Sequence, residues 1–244
     1  QGGILDSYAR GSAGFGIFWF LETLSICAVD GFAFISGYTA SDRPRRNAKI
    51  VDMWFQAWFY SFVLTLLLTL AGFEGHWTWK NTLQRAMPLT FDMFWYFTAY
   101  TALFFAAPAI NRFLFAMDEK SCKKAFVLMV ILFSVMGVLG DPFRSRSGYS
   151  TVWVIAVYCM GLLGRRIRLF ETRKTSVLIA AWLLCNLISW AGWMLGGTKL
   201  LMKYVSPTVL FSGILLVVLF SRLRLKGRLI RSLAPLAFAV YLFQ

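Results

Sequence analysis

The sequence predicts an all-α fold: a polytopic helical membrane protein with about eight transmembrane helices, the last of them clipped. Of its 244 residues, 59% are hydrophobic and 15% are charged, whereas soluble domains carry about 25% charged residues. The mean hydropathy is +0.64. The apolar residues come in blocks close to the length of about 20 residues that a helix needs to cross a bilayer. A lipid bilayer is therefore the predicted environment.

Charges and clusters of Gly or Pro separate the apolar blocks, and each block is predicted to be one span. The predicted spans are residues 14–38, 54–73, 91–117, 124–140, 151–164, 176–197, 206–220 and 234–244. The fourth, fifth and seventh spans are short, which tilting beside longer neighbours can accommodate. No linker rich in Pro, Gly or Ser divides the sequence. Residues 1–244 are predicted to form one transmembrane domain, incomplete at both ends.

The basic residues predict the orientation. Loops after the first, third, fifth and seventh spans hold 18 Lys and Arg residues, and the loops between them hold 6. Because cytoplasmic loops are enriched in Lys and Arg, the first set is predicted to face the cytoplasm and the residue 1 end to lie outside it. Topology thus explains the net charge of +14, and nucleic acid is not a predicted partner.

The aromatic and sulfur side chains are predicted to be structural. Tryptophans near the span ends fit the interfacial belt of a membrane protein; they are Trp54, Trp58, Trp77, Trp79 and Trp153. The four cysteines are scattered and form no CxxC pair, so they predict no metal or redox site.

Two carboxylates lie inside the first predicted span. Glu22 and Asp30 are eight residues apart, which puts them about 80° apart around a helix, on one broad side. Because ionisable groups inside a bilayer are expensive, both are candidates for lining one polar cavity. The alternative is that each is paired with a neighbouring helix and only fixes packing.

Four segments resemble a known family in sequence order. Residues 29–38 read V-D-G-F-A-F-I-S-G-Y and lead into a basic loop, residues 95–100 read W-Y-F-T-A-Y, and Pro108 and Asn111 follow. Residues 158–161 read Y-C-M-G and residues 239–244 read A-V-Y-L-F-Q. Together these segments resemble the integral-membrane acyltransferase-3 family, which moves acyl groups, often acetyl, from acyl-CoA to carbohydrates of the cell envelope.

The resemblance implies about ten helices in the whole protein, a bacterial plasma-membrane location, and an O-acyltransferase reaction on an envelope or exported polysaccharide. Acetyl-CoA or another acyl-CoA is the implied co-substrate, and no metal is implied. The candidate catalytic residues are Asp30, to orient a histidine base, Ser36 or Tyr96, to donate hydrogen bonds, and Glu22. The candidate residues for binding acyl-CoA phosphates are Arg43, Arg45, Arg46 and Lys49. Topology and anionic lipid headgroups are an alternative explanation for these four cations.

The family carries an Arg and a His about ten residues apart in its first helix, with the His as general base, and this sequence has no such pair. Its only histidine, His76, falls in a predicted outer loop. The sequence ends in Tyr241-Leu242-Phe243-Gln244, where the family often has Y-L-x-H. We therefore expect the catalytic helix to precede Gln1.

Two other classes of protein are also compatible with the sequence. One is a transporter, flippase or glycan polymerase in which Glu22 and Asp30 line a polar pathway. Against it, both acids lie in one span, and no interrupted helices occur at matching positions of two halves. The other is a non-catalytic membrane module that senses a ligand or anchors another domain.

Overall fold

A computed structural model describes residues 12–41, 48–72, 78–223 and 236–242. These residues form helices and turns and contain no strand, so the all-α prediction is confirmed. Among them, the helices long and apolar enough to cross a membrane are Gly14–Tyr38, Ala48–Leu70, Glu119–Leu139, Thr175–Gly196 and Lys199–Ser221. Each of these overlaps a predicted span. The protein is a multi-pass membrane protein.

The helices follow one another with short connections. They are α1 (Ala13–Ile26), α2 (Ala28–Tyr38), α3 (Ala48–Trp58), α4 (Thr65–Leu70), α5 (Trp79–Ala86), α6 (Trp95–Phe115), α7 (Glu119–Met129), α8 (Met136–Leu139), α9 (Thr151–Arg166), α10 (Thr175–Gly196), α11 (Pro207–Ser221) and α12 (Ala237–Leu242). Two π-helical segments, Phe59–Leu64 and Val130–Val135, join α3 to α4 and α7 to α8. Short 3₁₀ turns occupy Arg146–Gly148 and Lys199–Met202.

Two elements differ from the prediction. The first span is divided at Cys27 into α1 and α2, and hydrophobicity gives no signal for that break because both sides are apolar. Helix α5 was not predicted, because its sequence of mixed polar residues reads as a loop. Thr78 precedes α5 and caps it: its hydroxyl accepts a hydrogen bond from the N–H of Asn81, which is a normal N-cap.

The chain divides into two compact units, one of Gln1–Asp42 with Ala107–Leu223 and one of Arg43–Ala106 with Arg224–Gln244. The prediction of a single domain over residues 1–244 stays a prediction. In the second unit, Ala57, Phe97 and Leu242 form a buried cluster. The hydroxyl of Ser61, in the first π-helical segment, donates to the carbonyl oxygen of Arg85 at 2.8 Å. This bond fastens α5 to that segment.

Helix α9 is the centre of the first unit. Its 16 residues include eleven that are buried, a continuous run from residue 156 to residue 164 among them. At about 1.5 Å per residue its length is about 24 Å, shorter than the hydrocarbon core of about 30 Å. A helix enclosed by protein does not need to match the bilayer, which explains why this predicted span is short.

Three arginines stabilise one end of the first unit by donating to carbonyl groups that helix ends leave without partners. Arg165 donates to the carbonyl oxygen of Ala40, just after α2, at 2.9 Å. Arg166 donates to those of Leu114 and Met117 at the end of α6, at 2.8 and 2.7 Å. Arg222 donates to the carbonyl oxygens of Phe170 and Arg173 in the turn before α10. These cations therefore have structural partners besides any role in topology.

Candidate functional site

The break at Cys27 places Asp30 in the first turn of α2, where a carboxylate is favourable beside the helix N-terminus. Asp30 is 1% exposed. Its Oδ1 accepts a hydrogen bond from the indole N–H of Trp153 on α9, at 2.8 Å. Its Oδ2 is also buried and has no hydrogen-bond partner among the described residues. One carboxylate oxygen is thus fixed and the other is available to a further donor.

The backbones of α2 and α9 meet at two glycines. A methyl group placed on Gly37 would lie 1.9 Å from the carbonyl oxygen of Tyr158, and one on Gly161 would lie 2.1 Å from that of Phe34. No Cβ atom fits at such distances, so the crossing requires glycine on both helices. Helix α11 also approaches α2 closely, since a methyl on Gly213 would lie 3.2 Å from the Cβ of Asp30. Asp30 is therefore held between two neighbouring helices.

A buried polar chain joins three of the segments that carry the family resemblance. The hydroxyl of Tyr158 donates to Oδ1 of Asn111 at 2.7 Å. The Asn111 amide donates to the carbonyl oxygen of Ser41, just beyond α2, at 3.4 Å. Residues far apart in sequence on α2, α6 and α9 thus meet at one junction, and their role there is to hold the helices together.

A cavity of about 340 Å³ lies beside α1 in the first unit. It is lined by charged groups and aromatic rings, together with two aliphatic side chains and one serine. The lining residues are Trp19, Glu22, Ile26, Arg146, Ser147, Tyr149, Lys199, Met202, Lys203 and Tyr204. Its volume falls within the range of about 300–1,000 Å³ typical of small-molecule sites. The walls come from α1, the loop before α9, and the segment between α10 and α11.

The loop before α9 is held in a strained shape by Asp141. This carboxylate accepts hydrogen bonds from the N–H of Ser145 at 2.6 Å, from the N–H of Arg146 at 2.8 Å, and from the Ser145 hydroxyl. The φ angles of Arg146 and Ser147 are 50° and 61°, a region that residues other than glycine rarely adopt. Strain of this kind persists where the surroundings enforce it and is frequent at functional sites.

The same hydrogen bonds affect the titration of Asp141. Burial alone raises the pKa of this carboxyl, but the hydrogen bonds from the Ser145 side chain and from the two backbone N–H groups outweigh it, with a contribution from Lys203. The net result is a pKa below the ordinary Asp value. Asp141 is accordingly a carboxylate at neutral pH.

The other walls of the cavity are also fixed by contacts. The ammonium group of Lys199 lies 4.5 Å from the ring centroid of Trp19 and 4.9 Å from that of Trp193, which is cation–π geometry. The rings of Tyr149 and Tyr204 lie 4.9 Å apart between centroids. Val205, the next residue, accepts a 2.6 Å hydrogen bond at its carbonyl oxygen from Ser134 of the second π-helical segment. The cavity wall is thereby tied to the core.

The predicted site residues have different positions. Glu22 lines the cavity, whereas Asp30 is buried beyond its lining. The Ser36 hydroxyl donates to the carbonyl oxygen of Phe32 in its own helix. Tyr96 belongs to the second unit, where its N–H donates to the Tyr241 hydroxyl at 3.1 Å. Their catalytic roles stay predictions.

The predicted acyl-CoA residues are described only in part. Lys49 is exposed at the start of α3. Arg43, Arg45, Arg46 and His76 lie outside the described residues. No group of three His, Cys, Asp or Glu side chains suited to a metal ion occurs in the part of the chain that the structure describes.

Sequence reasoning missed the role of Trp153 and of three cations. The belt prediction for Trp153 is wrong: this side chain is 1% exposed and binds Asp30. The sequence predicts Arg146, Lys199 and Lys203 to be ordinary charges of outer loops, yet all three line the cavity. The sequence does not distinguish these three cations, because each of the three loops predicted to be outer holds two Lys or Arg residues.

Helices with a buried carboxylate and a charged cavity define this protein as a polytopic membrane protein with a polar site. Residues 3–244 match a family model described as an acyltransferase domain. The chain belongs to the acyltransferase-3 family, and in general terms it is a membrane acyltransferase. Comparisons with curated proteins and with solved structures give no match.

Proposed function

We propose that this protein transfers an acyl group, acetyl in the first place, from acyl-CoA to a hydroxyl of an envelope or exported carbohydrate, in the bacterial plasma membrane. The observation that carries the proposal is the family match over residues 3–244. The cavity and the buried carboxylate supply chemistry that suits it.

In this reaction a sugar hydroxyl oxygen forms a bond to the thioester carbonyl carbon, and the carbon–sulfur bond breaks. The hydroxyl proton goes to a base and then to the departing CoA thiolate, so that free CoA thiol is released. A carboxylate facing the acceptor can hold its hydroxyl by accepting a hydrogen bond. Glu22 has this position in the cavity, and Trp19, Tyr149 and Tyr204 provide aromatic surface for a sugar ring.

Asp30 is proposed as a positioning residue. Its Oδ1 is held by Trp153, so that Oδ2, which lacks a partner among the described residues, points in a fixed direction. An oxygen so placed can accept a hydrogen bond from an imidazole and set both its tautomer and its basicity. This agrees with the role that the family resemblance implies.

The proposed donor site is the basic segment from Arg43 to Lys49. Guanidinium and ammonium groups bind the phosphates of CoA through charge-assisted hydrogen bonds. By the alternation of Lys and Arg, this segment is predicted to face the cytoplasm, where acyl-CoA is found, and the loops that line the cavity are predicted to face outside. The direct transfer therefore requires the thioester end of acyl-CoA to reach from the cytoplasmic side to the acceptor hydroxyl.

The test is acetyl-CoA-dependent release of CoA thiol by the complete protein in nanodiscs, with a carbohydrate acceptor and with mass detection of the acetylated product. We expect Glu22→Gln and Asp30→Asn to reduce the rate at least tenfold. The matched control is Glu119→Gln, an exposed carboxylate paired with Lys123, which should keep the wild-type rate. Unchanged rates in both site variants would remove these carboxylates from the mechanism.

A further inference from the structure

The cavity beside α1 holds more positive than negative charge. Arg146, Lys199 and Lys203 line it with a single carboxylate, Glu22. Among the described residues, neither the guanidinium group of Arg146 nor the ammonium group of Lys203 forms an ion pair with a carboxylate, unlike the cations of Lys123–Glu119 and Arg168–Glu171. Positive charges gathered in one concave site raise its affinity for anions.

From this arrangement we propose that the cavity binds an acceptor sugar bearing a carboxylate or phosphate group, and that Arg146, Lys199 and Lys203 select it over neutral sugars. The inference rests on the proposed transfer to a carbohydrate hydroxyl. It adds the class of acceptor to that reaction and names the residues that recognise it.

Arg146 is preorganised for this role by its loop. Its N–H is bound by Asp141, and its φ of 50° is a conformation that the hydrogen bonds of Asp141 enforce. The next glycine, Gly148, has a φ of 101° and packs so tightly that an added methyl group would lie 2.3 Å from the Cβ of Tyr204. The backbone is thus fixed where the Arg146 side chain lines the cavity, and a guanidinium group there can bind a carboxylate or phosphate with two parallel hydrogen bonds.

Lys199 is restrained by contacts, and Lys203 is partly buried. The contacts of Lys199 with the rings of Trp19 and Trp193 keep its ammonium group at the cavity. Lys203 is only partly exposed and influences Asp141 electrostatically; the carboxylate of Asp141 is used by its own loop. Restrained cations lose less conformational entropy when an anion binds, which favours a specific site over a diffuse basic surface.

The remaining lining residues suit a sugar. Aromatic rings from Trp19, Tyr149 and Tyr204 offer apolar faces with polar edges. The carboxylate of Glu22 can accept a hydrogen bond from a hydroxyl but repels a bare phosphate. The cations can bind an anionic group while Glu22 accepts a hydrogen bond from a hydroxyl. A charged saccharide carries both kinds of group, so it fits this lining better than an isolated anion does.

The experiment measures binding directly, with the complete protein in nanodiscs of neutral phosphatidylcholine. The probes are glucuronic acid and its uncharged methyl ester, followed by glucose 1-phosphate and glucose, with binding monitored by tryptophan fluorescence. We expect each charged sugar to bind at least tenfold more tightly than its neutral counterpart at pH 7. Equal affinities within both pairs, or no binding of either charged sugar, would overturn the proposal.

The variants assign the preference to the cavity. Arg146→Gln and Lys203→Gln should each lower the charge preference at least threefold, and Lys203→Arg should retain it. Lys124→Gln, which removes an exposed cation in the middle of α7, is the matched control and should retain the preference in full. A preference that survives both Arg146→Gln and Lys203→Gln would place the anion elsewhere and refute the assignment.

Two further measurements are needed. One distinguishes a sugar from a lipid headgroup as the bound anion, and the other distinguishes a failure of this proposal from a failure of the proposed function. If phosphatidylglycerol in the nanodisc abolishes glucuronic acid binding, the site is a lipid headgroup site and the sugar proposal fails. A charge preference without acetyl transfer would refute the proposed function and leave the anion site standing. Acetyl transfer with equal KM for charged and neutral acceptors would leave the proposed function standing and refute the acceptor class.

Discussion

The indole N–H of Trp153 and the Oδ1 of Asp30 lie 2.8 Å apart in a buried hydrogen bond between α9 and α2. The two residues are 123 positions apart in the sequence. This bond connects the carboxylate of the first family segment to the most enclosed helix of the first unit, and its removal has a definite expected consequence.

Trp153→Phe keeps an aromatic ring but removes the donor. Because Asp30 Oδ1 would then be buried without a partner, we expect a loss of about 1–3 kcal/mol in the free energy of unfolding. The measurement is denaturation in detergent micelles. In the Asp30→Leu background the same change should have a much smaller effect, since the group that loses its partner is already gone. Additive effects of the two changes would show that the bond contributes nothing.

Gly37→Ala should severely destabilise the first unit. The added methyl group would meet a backbone carbonyl at 1.9 Å, and backbone cannot move aside as a flexible side chain can. We expect a loss of more than about 3 kcal/mol or a failure to accumulate folded protein. The control is Gly16→Ala in α1, where the nearest atom lies at 3.7 Å. That variant should melt at or above the wild-type temperature, and equal stability of the two variants would contradict the close crossing.

Arg166→Gln removes the donors that satisfy carbonyl oxygens at the end of α6. We expect a loss of about 1–3 kcal/mol, because these acceptors are left without partners. Arg168→Gln is the comparison: that side chain is 83% exposed and pairs only loosely with Glu171, at 3.7 Å. Its change should stay within about 0.5 kcal/mol. If thermal melting showed a comparable loss of stability for both variants, the positive charge, and not the hydrogen bonds of Arg166, would be responsible.

We expect the ionised Asp141 side chain to stabilise the folded protein and this stabilisation to be lost in acid. Its pKa is lower in the folded protein than the ordinary value of 3.8, so the carboxylate favours folding above pH 3.8. That contribution is lost as the pH falls below this value and through the folded pKa. Between pH 7 and pH 2.5, the melting temperatures of wild type and Asp141→Asn should therefore converge. A constant difference over this range would show that the ionised form is not what stabilises the loop.

The predicted orientation can be tested by cysteine labelling in intact cells. Arg144 and Arg168 are both exposed, and they lie in loops predicted to be on opposite sides of the membrane. An impermeant maleimide should label Arg144→Cys from outside and should label Arg168→Cys only after permeabilisation. The reverse pattern would invert the orientation, and the donor and acceptor ends of the proposed reaction would exchange places.

Much of the fold could be predicted from hydrophobic block length. The helix starting at Thr151 and the one ending at Gly196 lie within two residues of their predicted bounds. The break at Cys27 and the helix Trp79–Ala86 could not be predicted, because the first lies in unbroken apolar sequence and the second has little apolar sequence. Asp30 and Glu22 could be identified from the sequence as candidate site residues, because charged residues are rare inside apolar spans.

The environment of those carboxylates was not predictable. That Trp153 binds Asp30 depends on how α9 rotates against α2, and sequence periodicity does not determine the pairing of two apolar helices. Likewise, the cavity requires the loops at Arg146 and Lys199 to meet beside Glu22. Such a meeting follows from tertiary packing, so the cations looked like ordinary loop charges in the sequence.

The glycine crossing between α2 and α9 has a mechanical consequence. Where backbone touches backbone through Gly37 and Gly161, no side chain is available to change rotamer and absorb a sliding movement. The two helices therefore move together, and Asp30 keeps its distance from Trp153 through any such movement. Opening and closing for substrates must then arise outside this pair.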